Sequence, residues 1–116
     1  MSNCVMREDL SEPFFSLVKS GIKKIEGRPN KPKWQNSEFI EWSNNLYGER
    51  KVLTKVVGRR VYSSFEEYLE KEGLEYCLPG FDSISDGVNF VYRSWYSEEI
   101  EHEFGVIALE LEIIKQ

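Results

Sequence analysis

Apolar and polar residues alternate with a period of two in several parts of the chain, and this period predicts strands. The predicted strands cover residues 23–29, 37–42, 51–62 and 105–114. Gly58 interrupts the longest of them, where a glycine predicts a bulge or bend. Pro29 is expected to close the first strand, and the Pro-rich stretch "RPNKPKW" is expected to form the loop after it.

Other segments have helix signals at both ends, with a Ser in the N-cap position and a Gly that stops the helix. These pairs are Ser11 with Gly21, Ser63 or Ser64 with Gly73, and Ser97 with Gly105. Strands early and late in the chain, with helices between them, indicate an α+β fold. The last strand must return to the early sheet to bury its apolar face, which predicts a small barrel with helices packed around it.

The segment "SISDGVNFVYRSWYS" has apolar residues at helical spacing, so it predicts a helix with one buried face. Interleaved aromatic and basic residues could instead stack on and neutralise a nucleic acid. We expect Trp95 to pack in the buried face. Tyr92 and Tyr96 fit either interpretation, with Arg93 nearer the surface.

The bulk properties are those of a soluble globular protein: 116 residues, 41% hydrophobic and 30% charged. We expect a single domain over residues 1–116, with its core at about 13–114. No apolar run is long enough for a membrane helix and the first residues lack a signal peptide, so an intracellular location is expected, cytoplasmic or nuclear. Cys4 and Cys77 are predicted to be free thiols, and with His102 as the one histidine neither a metal site nor a cofactor is expected.

Charge is distributed unevenly along the chain, although the net charge is −5. Residues 19–60 hold 11 bases and 4 acids, a balance of +7, whereas residues 61–116 hold 3 bases and 13 acids, a balance of −10. The basic half could form a positive face that attracts an anionic ligand. It could equally be a set of lysines that protect strand edges from aggregation.

The stretch "GIKKIEGRPNKPKW" concentrates five basic residues around one acid, Glu26. On a strand Glu26 and Arg28 share one face, while Ile25 and Gly27 lie on the other. Gly27 is expected where another backbone or a ligand approaches closely. Without further information, Glu26 and Arg28 would be a surface ion pair worth less than ~1 kcal/mol.

The same stretch resembles the signature segment of the ASCH domain family, roughly G-x-K-x-x-E-x-R on the first core strand. The segments "VVGRRVYSSFEEYLEKEGLEYCLPG", "SDGVNFVYRSWYS" and "FGVIALEL" follow in the family's order, so the resemblance runs from about Pro13 to Ile114. It is strongest to the small stand-alone members of bacteria and large DNA viruses. The resemblance implies a PUA-like fold, a small β-barrel with a cleft flanked by helices.

The resemblance also implies a function in RNA metabolism, since the family is associated with RNA binding. Some bacterial members are enzymes, an acetylcytidine amidohydrolase and a ribonuclease. In the amidohydrolase type a Thr nucleophile stands where this chain has Glu26, and "IEWSNN" replaces a common Gly-Asp pair. The residues that the resemblance places in or around the cleft are Lys23, Glu26, Arg28, Lys31, Lys33, Tyr92 and Tyr96.

The first hypothesis is therefore a monomeric module that binds RNA or a nucleotide in a basic cleft. Lys23 and Arg28 would bind phosphate, and Glu26 would accept hydrogen bonds from a base edge or ribose hydroxyl. Lys31 and Lys33 would rim the cleft, and a tyrosine would stack on the base.

Two alternatives remain open from the sequence. The first is a small hydrolase acting on RNA or a modified nucleoside, with Glu26 as general base and Lys23 stabilising negative charge. The second is a protein-interaction domain that uses the acidic helical half of the chain.

Overall fold

Five strands form one half-barrel sheet in the computed structural model, which describes residues 5–46 and 48–114. The strands are β1 (Val5–Asp9), β2 (Ile25–Pro29), β3 (Phe39–Asn44), β4 (Arg50–Tyr62) and β5 (Val106–Ile113). They lie in the order β1-β3-β4-β5-β2. β1 is parallel to β3, and the other neighbours are antiparallel. β1 and β2 are therefore the two edges of the sheet.

Short helices flank the sheet: α1 (Phe14–Lys19), α2 (Phe65–Glu72), α3 (Leu74–Cys77), α4 (Ile84–Gly87), α5 (Arg93–Trp95) and α6 (Glu98–Phe104). A π-helical segment, Val88–Tyr92, joins α4 to α5, and a 3₁₀ turn, Pro32–Trp34, follows β2. The predicted caps Ser64 and Ser97 are confirmed. Their hydroxyl oxygens accept the N–H groups of Glu67 at 3.0 Å and Ile100 at 3.2 Å.

The predicted cap of α1 is wrong. The helix begins at Phe14, and Pro13 holds the N-cap position without a side-chain hydrogen bond. The carboxylate of Glu12 takes over the capping role, since it accepts the Ser16 N–H at 3.0 Å and the Ser16 hydroxyl at 2.7 Å. Ser11 lies too far before the first turn to serve it.

Large apolar side chains fill the inner face of the half-barrel, where the polar groups of Trp42 and Thr54 are hydrogen-bonded. Trp42 is fully buried and donates its indole N–H to the Thr54 hydroxyl at 2.9 Å, which in turn donates to the Ile40 carbonyl at 2.9 Å. Burying each such aromatic side chain contributes roughly 1.5–3 kcal/mol. The sheet is therefore well packed, and this packing holds its edge strands in place.

A bulge in β4 sets the direction of the side chains that follow it. The pairing of β4 with β5 shifts register between Val56 and Gly58, as the sequence predicted for this glycine. Beyond it, Arg59 lies opposite Leu109, which also lies opposite Glu26 of β2. Because paired residues point to the same face of a sheet, Arg59 shares the face of Glu26, and Arg60 lies on the opposite face.

The sequence analysis did not predict β1. In "VMRED" only Met6 and Glu8 are half-buried, so the segment lacks an apolar alternation that would mark a strand. It is a strand because its backbone pairs with β3 from Val5 opposite Phe39 onward. No helix within the described ranges is long and apolar enough to cross a membrane, and Cys4 lies outside those ranges.

Candidate functional site

Lys23, Glu26 and Arg28 form a buried ion cluster at the start of β2. Lys23 Nζ lies 3.2 Å from Glu26 Oε1, and Arg28 Nε lies 2.8 Å from Glu26 Oε2. The side chains of Lys23 and Glu26 are only 1% and 8% exposed. Both carboxylate oxygens therefore have a cationic partner, and the cluster keeps a net charge of +1.

Lys23 is fixed by the protein itself. Besides Glu26, its ammonium group donates to the Ile25 carbonyl at 2.6 Å and to the Cys77 carbonyl at the end of α3. An ammonium group has three donors, and all three are used here. Lys23 thus ties the edge strand β2 to α3 and has no donor left for a ligand, unlike the open cleft lysine that the resemblance implies.

Glu26 and Arg28 stabilise each other's charged forms. Burial by itself raises the pKa of Glu26, but the charges of Lys23 and Arg28 outweigh burial and hold that pKa below its ordinary value. Burial likewise lowers the pKa of Arg28, and the Glu26 carboxylate more than offsets it. A carboxylate with a lowered pKa is a weak proton acceptor.

Arg28 extends from the cluster across the gap between the two sheet edges. Its guanidinium carbon lies 5.0 Å from the ring centre of Trp34 and 5.3 Å from that of Trp42. Its Nη2 donates to the Asp9 carbonyl of β1 at 3.3 Å. Contact with two rings and a carboxylate holds the guanidinium in one orientation.

A pocket of about 260 Å³ opens where Arg28 reaches β1. Its lining residues are Asp9, Leu10, Ser11, Arg28, Trp95 and Tyr96. Trp95 is 51% exposed and Tyr96 is half-buried. The structure therefore brings Arg28 and Tyr96 together, as the resemblance implies, and adds Trp95.

The prediction that Trp95 packs in a buried helix face is wrong. Val91 and Tyr92 are buried, but Trp95 is 51% exposed and makes an edge contact with Phe14, with ring centres 6.3 Å apart. The reason is the π-helical segment before it. Its turns are wider than those of an α-helix, so residues spaced for an α-helix no longer share one face.

Tyr92 is enclosed rather than open to a ligand. It is 3% exposed and stacks on Phe65, with ring centres 4.2 Å apart and planes 9° apart. Burial raises its pKa well above the ordinary value. Tyr92 thus forms part of the wall behind the ion cluster and offers no ring face for stacking.

The space beside Gly27 is filled by an aromatic side chain. A Cβ at Gly27 would lie 2.5 Å from the ring of Tyr68 in α2. The close approach predicted for this glycine therefore exists, but the approaching group is Tyr68 rather than a backbone or a ligand.

The two lysines of the loop after β2 diverge. Lys33 pairs with Glu8 at 3.1 Å, and its Nζ lies 4.9 Å from the ring centre of Trp34. Lys31 lies 5.3 Å from the ring centre of Phe104, in α6. Lys33 thus joins the surroundings of Arg28 through Glu8, whereas Lys31 lies toward another part of the molecule.

A larger pocket, of about 450 Å³, lies between the first turns of α2 and α6. Its lining residues are Ser63, Ser64, Glu98, Glu99, Glu101 and His102. The buried Glu101 accepts the Phe65 N–H at 2.6 Å and the Arg93 Nη2 at 2.9 Å. The sequence analysis missed this contact, since no local pattern links Glu101 to a helix 36 residues away.

Among the described residues no group of three or more acids, histidines or cysteines could hold a metal ion.

Comparison with known proteins places the chain in a family. The model of the ASCH domain matches residues 9–115, nearly the whole chain. The chain belongs to the ASCH family. No curated protein matches this ASCH domain.

Two solved structures resemble this ASCH domain closely. The crystal structure of hypothetical protein PH0355 is 44% identical, covers 96% of this chain and 100% of its own, and has a TM-score of 0.84. The solution NMR structure of protein PF0455 from Pyrococcus furiosus is 40% identical, covers 97% and 100%, and has a TM-score of 0.77. The predicted α+β, PUA-like small barrel with flanking helices is thereby confirmed, while neither similarity names a ligand.

Proposed function

We propose that this ASCH domain binds single-stranded RNA or a nucleotide, with a base and its phosphate in the pocket lined by Arg28, Trp95 and Tyr96. The observation that carries the proposal is a rigidly held guanidinium beside the exposed ring of Trp95 and the half-buried ring of Tyr96 in one concave site. Such a combination suits a ligand that has both a flat π-system and negative charge.

Arg28 is the anion contact in this proposal. One side of its guanidinium is held by Glu26, and its plane is covered by Trp34 and Trp42. Arg28 lines the pocket, where guanidinium N–H donors match a phosphate or a base edge. Because the group is already oriented, little conformational entropy is lost when a ligand binds.

Trp95 is the stacking surface, with Tyr96 beside it. Their ring planes are 72° apart, so the two rings form a corner rather than a sandwich. A base that stacks on Trp95 would place its edge toward Arg28. A pocket of about 260 Å³ admits one base at a time and excludes a duplex.

Lys23 and Glu26 act as positioning residues in this proposal. Lys23 compensates one oxygen of Glu26, and the other oxygen orients Arg28. This differs from the hypothesis that Lys23 binds phosphate and Glu26 reads a base. The reason is burial, since both side chains are enclosed and their polar atoms are already paired.

The hydrolase alternative finds less support in the geometry. A general base must take a proton from water, but the carboxylate of Glu26 is enclosed and bound on both oxygens. Its lowered pKa further weakens it as a base. Binding without turnover is therefore the function that the site supports best.

The proposal is tested by comparing Trp95→Ala with Phe90→Ala. Both residues are exposed aromatics of the same helical stretch, but Phe90 is 71% exposed and does not line the pocket. Loss of one stacking contact costs about 1–3 kcal/mol, so Trp95→Ala should weaken RNA binding roughly 5- to 150-fold. Phe90→Ala should bind as the wild type does.

The measurement is isothermal titration of nucleoside monophosphates and short single-stranded RNAs at low salt. Few phosphates are neutralised, so the logarithmic salt slope should be modest, about −0.7 for each phosphate contacted. Absence of binding at low salt, or equal affinity of Trp95→Ala and the wild type, would overturn the proposal.

A further inference from the structure

Arg59 lies on the same face of the sheet as the ion cluster and contacts the same tryptophan as Arg28. Its Nε donates to the Trp34 carbonyl at 2.9 Å, while the ring of Trp34 packs against the Arg28 guanidinium. The bulge before Gly58 is what turns Arg59 to this face. Trp34 and its 3₁₀ turn therefore stand between two arginines.

Arg59 differs from its neighbours in having no counter-ion. Arg28 pairs with Glu26, and Arg60 pairs with Glu72 and Glu110. No carboxylate among the described residues lies within 4 Å of Arg59, and its Nη2 is buried without a hydrogen-bond partner there. Burial lowers its pKa, and no acid counteracts that effect. A partly buried cation without an acid is unfavourable unless an anion joins it.

Lys31 is a second unpaired cation on the same turn. The Lys31 carbonyl accepts the Trp34 N–H at 3.0 Å, so Lys31 stands at the start of the turn. Arg59 binds the other end of the turn, through the Trp34 carbonyl. The Lys31 ammonium group lies over Phe104 and has no carboxylate within 4 Å in the described part of the chain. Arg28 and Lys33 are thus paired with acids, whereas Arg59 and Lys31 have no acid partner among the described residues.

We infer that Arg59 and Lys31 form a second anion site, which binds a further phosphate of an RNA strand whose first base occupies the Arg28 pocket. The inference rests on the proposed function and specifies its ligand as an oligonucleotide rather than a free nucleotide. Arg28 and Arg59 are on strands separated by β5, so two strand spacings, about 10 Å, divide their backbones. Successive phosphates of one strand can each contact one of two arginines placed in this way.

The experiment measures binding of a nucleoside monophosphate and of a single-stranded hexaribonucleotide to Arg59→Gln, Lys31→Gln and Lys51→Gln. Lys51 is the matched control, since it loses the same charge from the same strand and pairs only with its exposed neighbour Glu49. Arg59→Gln and Lys31→Gln should each weaken hexanucleotide binding several-fold and flatten the salt slope by about 0.7–1. Binding of the monophosphate should not change in any of these variants.

Arg59→Lys provides the conservative variant, and by keeping the charge it should recover most of the salt slope. Circular dichroism melting establishes that each variant is folded. Equal hexanucleotide affinity of Arg59→Gln and the wild type, together with a loss in Trp95→Ala, overturns the second site and leaves the first intact. Equal weakening of both ligands assigns Arg59 to the first site and overturns the inference. Failure of the wild type to bind either ligand overturns the proposed function and this inference with it.

Discussion

Two buried glutamates each hold an arginine, and the two arginines have different surroundings. Glu26 binds Arg28 at 2.8 Å, and Glu101 binds Arg93 at 2.9 Å. The second oxygen of Glu26 binds the buried Lys23, whereas that of Glu101 accepts the N–H at the start of α2. Arg28 continues to a pocket with exposed rings, while Arg93 also bonds within its own segment, to the Tyr96 carbonyl at 3.3 Å.

The difference teaches that the chemistry of a pocket outweighs its size. The pocket beside Glu101 is the larger, about 450 Å³ against 260 Å³, but acids line it and its buried carboxylate already caps a helix. The pocket beside Arg28 combines an oriented cation with stacking surfaces. The Glu101 pair therefore connects two helices, whereas the Glu26 pair orients the arginine of the proposed binding site.

The largest effect on this comparison is expected from Lys23→Ala. It removes one partner of a buried carboxylate and takes a charged donor away from two buried carbonyls, so it should destabilise the fold by about 3–5 kcal/mol. Urea denaturation measures the change. The neighbouring Lys24 is exposed, so the free energy of unfolding of Lys24→Ala should stay within about 0.5 kcal/mol of the wild-type value. Similar stabilities for the two variants would mean that Lys23 is not a structural cation.

Glu101→Ala should have the next largest effect on stability, and it should differ from Lys23→Ala in the contacts that it removes. It leaves the Phe65 N–H at the start of α2 without its acceptor and Arg93 without its acid, which should cost about 2–3 kcal/mol. RNA binding by the folded fraction should be unchanged, since Glu101 does not line the Arg28 pocket. Denaturation and titration of the same samples check both parts, with the exposed Glu99→Ala as control. A loss of binding in Glu101→Ala would mean that the two regions are coupled.

A smaller effect is expected from replacing each arginine by lysine. A lysine cannot present the planar guanidinium edge, so Arg28→Lys should weaken RNA binding about tenfold, or about 1.4 kcal/mol. Arg93→Lys should leave affinity unchanged, since Arg93 does not line the Arg28 pocket. Titration of both variants with the same RNA measures this difference. Equal losses of affinity would mean that Arg28 and Arg93 do not differ in their contribution to RNA binding.

The smallest effect concerns acid stability. The folded pKa of Glu26 lies below its ordinary value of 4.5, so its ionised form contributes stability above that pH, and the contribution is lost as pH falls through the folded pKa. Glu26→Gln should therefore be less stable than the wild type at neutral pH, and the difference should shrink in acid. Denaturation between pH 7 and pH 2 measures it; a difference independent of pH would contradict the assigned pKa direction.

Much of the fold could be predicted from local patterns. The helix caps Ser64 and Ser97, the bulge at Gly58 and the shared face of Glu26 and Arg28 depend on neighbours within a few residues. Such features follow from backbone periodicity and from capping preferences, and both can be recognised from the order of residues.

Other features depend on contacts between distant segments and could not be predicted. β1 exists because its backbone pairs with β3, and Trp95 is exposed because a π-helical segment changes the phase before it. Of the predicted site residues, Arg28 and Tyr96 meet in the pocket, while Lys23, Glu26 and Tyr92 lie behind it. RNA binding, a monomeric state and an intracellular location stay predictions.

The sequence by itself determined the ASCH signature, the α+β order of elements and the concentration of basic residues around Glu26. Only the tertiary structure decided which of those charges remain available to a ligand. The physical reason is that ion pairing and burial are set by residues far apart in the chain. The Cys77 carbonyl of α3 accepts a hydrogen bond from Lys23, and Glu8 of β1 forms an ion pair with Lys33. No described acid pairs with Arg59.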